Sequence, residues 1–192
     1  MEPLSVGVHS VANLGGFRTG QSIVVFGCGP VGLLCMAVAK ALGAKRIIAV
    51  DIVPQRLEFA RSYAATDIYL PPQPLERETK FDYSRRNAEQ MKQQLNIQDR
   101  GINIIDLVVD ASGAEVSIQT AFYIVKTGGT FVQVCDVTFS FESWFDCISL
   151  KVGMGAPNVT IDVSLLMVKE LNYKGSFRYG VCSLHLFLLI EY

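Results

Sequence analysis

The chain reads as an α/β protein built on a doubly wound, six-stranded parallel sheet. Three observations predict this. Short runs rich in β-branched residues alternate with helix-length segments from residue 21 onward. The runs are apolar throughout rather than alternating, which is the pattern of strands covered on both faces. The first of them opens directly into a glycine-rich turn and then a helix, the order expected of a βαβ unit.

The elements follow in sequence. Residues 23–26, Ile-Val-Val-Phe, form the first strand, and glycine stops it. Residues 31–42 place small and apolar side chains at helical spacing and end at Gly43, a terminator free to adopt positive φ. Residues 46–50 form the second strand, which ends at Asp51. Residues 54–63 form a helix begun by a proline at its first position. Residues 67–70 are a short strand. Residues 71–83 hold three prolines and charges of both signs and read as a surface loop. A polar helix is expected over 84–95 and a central strand over 104–110. Residues 114–125 are an amphipathic helix closed by Thr127-Gly128-Gly129, and 130–134 the fifth strand. A helix over 163–170 and a last strand over 172–177 complete six strands, which suit the order 3-2-1-4-5-6. No repeat of solenoid period occurs.

Composition narrows the function. The chain has 192 residues, half of them apolar and 18% charged, with net charge −1. That is one globular domain with a sizeable core, not a disordered chain. No basic face invites nucleic acid. The five cysteines, Cys28, Cys35, Cys135, Cys147 and Cys182, form no C-x-x-C pair, so neither a disulfide framework nor a structural zinc spacing is present. The apolar run 184–190 is far shorter than the ~20 residues of a membrane span, and the first residues lack a signal-peptide pattern. A cytoplasmic protein that avoids membranes is the expectation.

Gly27-Cys28-Gly29-Pro30-Val31-Gly32 matches G-x-G-x-x-G. The pattern gains meaning from its place between a strand and a helix, with an acid at the end of the next strand. Gly27 permits the tight turn, Gly29 lets a pyrophosphate approach the backbone, and Gly32 lets helix and sheet pack closely. The helix start then offers free N–H groups and about half a positive charge to the phosphates. Asp51 is placed to accept from ribose hydroxyls and to repel a 2′-phosphate, which favours NAD over NADP. Arg56 could reach the ribose or phosphate side, or serve its own helix. Three plainer readings stand beside this one: structural glycines, Asp51 as a helix cap, and a methyltransferase, whose doubly wound fold also has a glycine-rich first loop and an acid after the second strand. On the leading reading this is a Rossmann-type dinucleotide-binding domain.

Glu2-Pro3-Leu4-Ser5-Val6-Gly7-Val8-His9, Val25–Gly32 and Lys174-Gly175-Ser176-Phe177-Arg178-Tyr179 closely resemble zinc-dependent polyol dehydrogenases of the medium-chain dehydrogenase family, with the xylitol, sorbitol and arabinitol branches nearest. The resemblance covers residues 2–134 and 153–180. It implies oxidation of a sugar alcohol to a ketose by hydride transfer to NAD, with zinc polarising the alkoxide. It implies cofactor contacts from Val31, Asp51 and Arg56 on the adenosine and pyrophosphate side. Val152, Gly153, Met154, Ser176 and Phe177 would line the nicotinamide side. Glu2 would stand beside the zinc site, and Arg178 and Tyr179 would touch the polyol. By residue chemistry alone, Glu2 is a chain-terminal residue, His9 a packed helix residue and Arg178 a surface arginine.

Three departures from the family qualify these expectations. The Cys and His that hold its zinc precede the Glu-Pro-Leu motif, so residues 1–20 read as a remnant leading from a missing catalytic domain and 21–180 as the NAD-binding domain. No metal is expected in this chain, and polyol oxidation by it alone is not expected. Residues 135–152 interrupt the family pattern with a segment holding the chain's sole tryptophan and no glycine or proline. Residues 181–192 replace the family's ending. Both foreign segments begin at a Val-Cys pair, as translated intron sequence would, and the expectation is a truncated or mis-spliced product. A homo-oligomer through the last strand, at the sheet edge, and a non-catalytic NAD-binding module complete the expectations.

Overall fold

The computed structural model describes residues 2–135 and 159–177. Among them six strands form one all-parallel sheet: β1 Ser22–Phe26, β2 Arg46–Val50, β3 Asp67–Tyr69, β4 Leu107–Asp110, β5 Thr130–Cys135 and β6 Asn172–Phe177. Their order is β3-β2-β1-β4-β5-β6, the doubly wound order expected from the sequence. In register, Phe26 lies beside Val50 on one side and Asp110 on the other. The carboxyl ends of β1, β2 and β4 therefore share one edge.

Helices cover both faces. They are α1 Glu2–Val8, α2 Pro30–Ala41, α3 Pro54–Tyr63, α4 Lys80–Leu95, α5 Glu115–Ile124 and α6 Val163–Val168, and a π-helical turn, His9–Leu14, continues α1. Alternate residues of each strand divide between two cores. Val25, Ala49, Val109 and Val132 join Cys35, Met36, Leu57 and Val11 on one face. Val24, Ile48, Val108 and Phe131 join Met91, Ala121 and Phe122 on the other. This double coverage is why the strands read as continuous apolar runs rather than alternating ones.

Several boundaries differ from the sequence expectation. The helix expected over 84–95 begins four residues earlier, because Thr79 accepts the N–H of Asp82 and caps it, a favourable start that shortens the loop. The strand expected over 104–110 begins at Leu107, where pairing with β1 starts at Ile23. The helix expected over 163–170 ends at Val168, and Glu170 turns the chain at positive φ. The helical segment 2–14 goes beyond the sequence expectation, which placed only His9 on a helix and gave it no bounds. Val11 and Phe17 lie inside the first core. The segments 136–152 and 181–192 lie outside the described residues.

Candidate functional site

Strand β1 is buried along its length and delivers the chain to a bend at the shared carboxyl edge. Gly27 adopts φ +91°, and its N–H donates to the Val50 carbonyl at 2.8 Å. A side chain at Gly27 would also meet the Ala111 carbonyl at 3.0 Å. Helix α2 then starts at Pro30, with Gly29 as its cap residue and no side chain capping it. Its first backbone bond runs from Leu33 N–H to Gly29 C=O. The N–H groups of Val31 and Gly32 precede that bond and have no acceptor within the helix. A Cβ at Gly32 would lie 1.9 Å from the Gly27 oxygen, whereas one at Gly29 would meet nothing within 4 Å. Among the described residues the bend is thus closed at Gly27 and Gly32 and open above Gly29.

Asp51 follows β2 and is 8% exposed. Its Oδ2 accepts the Cys28 N–H at 2.7 Å, and its Oδ1 accepts the Val53 N–H at 2.9 Å. The carboxylate is therefore held at the bend, with lone pairs to spare on each oxygen. Cys28 beneath it is buried, and that burial, reinforced by the Asp51 charge, pushes its thiol up to about 12, against an opposing influence of Arg56. The thiol stays neutral and is no nucleophile at neutral pH. Arg56 stands exposed in the first turn of α3. Ile52, 79% exposed, offers an apolar side chain next to Asp51.

The neighbouring turn was not anticipated. Asp110 ends β4 and is fully buried. It accepts from Ser112 N–H at 3.0 Å, Ser112 Oγ at 2.6 Å, Gly113 N–H at 3.2 Å and Gln133 Nε2 at 2.7 Å. Burial holds its carboxyl above the ordinary carboxylate range, against those four donors. The turn it shapes abuts Gly27 and forms the second wall of the bend. Asp-Ala-Ser-Gly carries an Asx-turn signature, so the signal was present in the sequence. Gln133 Oε1 is buried and has no hydrogen-bond partner among the described residues.

The structure thus brings Gly27, Gly29, Val31, Gly32 and Asp51 together at one bend, with Arg56 near it. Ser176 and Phe177 stand apart on β6. The Ser176 side chain is buried, its hydroxyl 2.9 Å from that of Ser10, and Phe177 is largely exposed. Glu2 opens α1. Val152, Gly153, Met154, Arg178 and Tyr179 lie outside the described residues. Among the described residues no group of three His, Cys, Asp or Glu side chains could hold a metal ion, and no helix is long and apolar enough to cross a membrane.

Comparison with known proteins agrees with this architecture. The family model described as zinc-binding dehydrogenase matches residues 30–140, more than half of the chain. D-xylulose reductase A of Aspergillus oryzae is 45% identical over 182 residues, covering 94% of this chain and 42% of the relative. The chain spans less than half the length of the curated relatives it matches. Zinc dependent alcohol dehydrogenase 2 from Streptococcus pneumonia, in its apo form, superposes with TM-score 0.70 at 19% identity, over 99% of this chain and 46% of that one. A zinc-binding dehydrogenase from Sinorhizobium meliloti bound to NADP does so with TM-score 0.65 at 20% identity, over 94% and 44%. The two structures support the fold, the sequence relative and the family match support the lineage, and the chain belongs to the zinc-binding dehydrogenase family.

Proposed function

We propose that the chain is the cofactor-binding part of an NAD-dependent polyol dehydrogenase, whose reaction oxidises a sugar alcohol such as xylitol to a ketose. One observation carries this reading. Among the described residues the bend leaves space above Gly29 and holds the Asp51 carboxylate hydrogen-bonded to its Cys28 amide. A pyrophosphate over Gly29 would receive the N–H groups of Val31 and Gly32 and the favourable end of the α2 dipole. Asp51 would accept from the adenosine ribose hydroxyls and repel a 2′-phosphate, so NAD is the cofactor of choice over NADP. Arg56 would meet the phosphate side, and Ile52 one face of the base.

When bound, NAD supplies the hydride acceptor. This chain's residues bind and orient it. Val152, Gly153, Met154, Ser176 and Phe177 would line the nicotinamide side, and Glu2, Arg178 and Tyr179 would stand on the polyol side. The polyol assignment draws support from the relative's name, D-xylulose reductase A. The described residues do not fit a catalytic zinc, which needs about three suitably placed protein ligands, since no such group occurs among them. A cytoplasmic location, and self-association through the exposed edge of β6, belong to the same reading.

Calorimetric titration with NAD, ADP-ribose, NADP and S-adenosylmethionine tests it. NAD and ADP-ribose should bind, NADP more weakly, and S-adenosylmethionine not at all. Asp51→Asn should weaken NAD by about tenfold or more, the worth of a hydrogen bond to a charged acceptor. Preference for S-adenosylmethionine would move the chain to the methyltransferase reading. Absence of any ADP-ribose binding would overturn the cofactor assignment.

A further inference from the structure

The segment before β1 is joined to the last strand by contacts that span nearly the whole chain. Ser10, in the π-helical turn, and Ser176, on β6, are both buried, and their hydroxyl oxygens lie 2.9 Å apart. Lys174, two residues earlier on β6, donates its Nζ to the Leu14 carbonyl at the end of the same turn, at 2.7 Å. Gly7 lets α1 lie close on α2, where an added Cβ would meet Leu34 backbone at 3.2 Å. The N-terminal helical segment therefore bridges α2, which opens at the glycine bend, and β6, which ends the sheet.

The placement has a consequence for the ligand. In a sheet of order 3-2-1-4-5-6 a dinucleotide straddles the switch between β1 and β4, with one mononucleotide over each half. The bend and Asp51 belong to the first half, and β6 to the second. Ser176 stands one residue from the carboxyl end of β6, the end at which doubly wound folds seat their ligands. Its hydroxyl is paired with that of Ser10, which ties this end of β6 to the π-helical turn.

We propose that the Ser10–Ser176 pair is a positioning device: it fixes the carboxyl end of β6 against the N-terminal helical segment and so sets the seat of the nicotinamide-bearing half of the dinucleotide. In this role the Ser176 side chain acts through its pairing with Ser10. The inference rests on the dinucleotide reading given above. π-Helical turns recur at functional sites, and a buried hydroxyl pair there keeps that turn in one register with the strand.

The test compares NAD with ADP-ribose, which lacks the nicotinamide, by calorimetry on the full chain. Ser10→Ala and Ser176→Ala should each lower NAD affinity by about fivefold, the net worth of one hydrogen bond, and leave ADP-ribose affinity within twofold. Ser176→Thr keeps a hydroxyl and should retain most of the NAD affinity. A purely structural role would move thermal stability and both ligands together, and that outcome overturns the proposal. So does equal binding of NAD and ADP-ribose by the unaltered chain, because there would then be no seated second half to position. Loss of folding in both alanine variants also overturns it. Failure of the unaltered chain to bind ADP-ribose would instead strike the dinucleotide reading itself.

Discussion

Gly29 and Gly32 lie three residues apart in one bend and do opposite work. At Gly32 a methyl group would strike the Gly27 oxygen at 1.9 Å, so the residue is a packing requirement. At Gly29 the backbone has φ −76°, open to any residue, and no described residue comes within 4 Å of where a Cβ would stand. Nothing among the described residues requires glycine there, whereas the proposed pyrophosphate would. Gly29→Val should therefore melt within a few degrees of the unaltered chain and lose NAD binding. Gly32→Ala should lose about 1–3 kcal/mol of stability, the usual cost of overpacking. Thermal melts paired with titrations check both, and a Gly29→Val protein that binds NAD normally would remove the phosphate from this bend. The glycine bend and Asp51 were legible in the sequence because the G-x-G-x-x-G spacing sits between a strand and a helix and an acid ends the next strand. The Asp110 turn was legible too, in its Asp-Ala-Ser-Gly string, but its proximity to Gly27 arises from β1–β4 pairing, which brings together residues more than eighty positions apart. Ser10 and Ser176 could not be paired from sequence, since two isolated serines carry no pattern.

Elements were readable where two signals agreed. Strands β1 and β2 combine unbroken apolar runs with sharp ends at Gly27 and Asp51. The start of α4 was hidden because its first turn, Lys80 to Tyr83, mixes charged and aromatic residues and closely follows prolines. The Thr79 cap decided it, through a hydrogen bond that propensity does not display. The π-helical turn was invisible for a similar reason: its backbone bonds span five residues, as in Gly15 N–H to Ser10 C=O. Between elements, one ion pair is expected to be measurable. Arg46 on β2 grips Asp67 on β3 with Nε to Oδ2 at 2.9 Å and Nη2 to Oδ1 at 3.0 Å. That pairing holds the Asp67 carboxyl below its ordinary value near 3.8. A carboxyl with a depressed folded value contributes stability above its unfolded value, and loses it as pH falls through the folded one. Asp67→Asn should cost about 1 kcal/mol at neutral pH, modest because both side chains are partly exposed. Its deficit should shrink below pH 4 as the unaltered chain loses the same contribution. Denaturant melts at pH 7 and pH 3 test the sign, and a deficit that grows in acid would exclude this account of β3.

At the scale of the whole molecule, the strand order was readable because the crossover rules leave few alternatives once six strands alternate with helices. What covers the last strand was not. Beyond β6 the sheet has no further strand among the described residues, and Tyr173 and Phe177 on it are about half exposed or more. Next to it α6 leaves Val163, Met167 and Val168 exposed, Val168 at 79%, while Leu165 and Leu166 pack inward. A strand with no further neighbour among the described residues, preceded by a helix with exposed apolar side chains, favours pairing with another copy. Net charge near −1 supplies little repulsion to oppose it. Sedimentation equilibrium should then show self-association that grows with protein concentration. Val168→Asp places a charge on the exposed face without entering the core, so it should shift that equilibrium toward monomer by about tenfold, equivalent to ~1.4 kcal/mol, and leave the thermal melt unchanged. If the unaltered chain stays monomeric at high concentration, or if Val168→Asp associates as strongly as the parent, the apolar face of α6 is not what joins the copies.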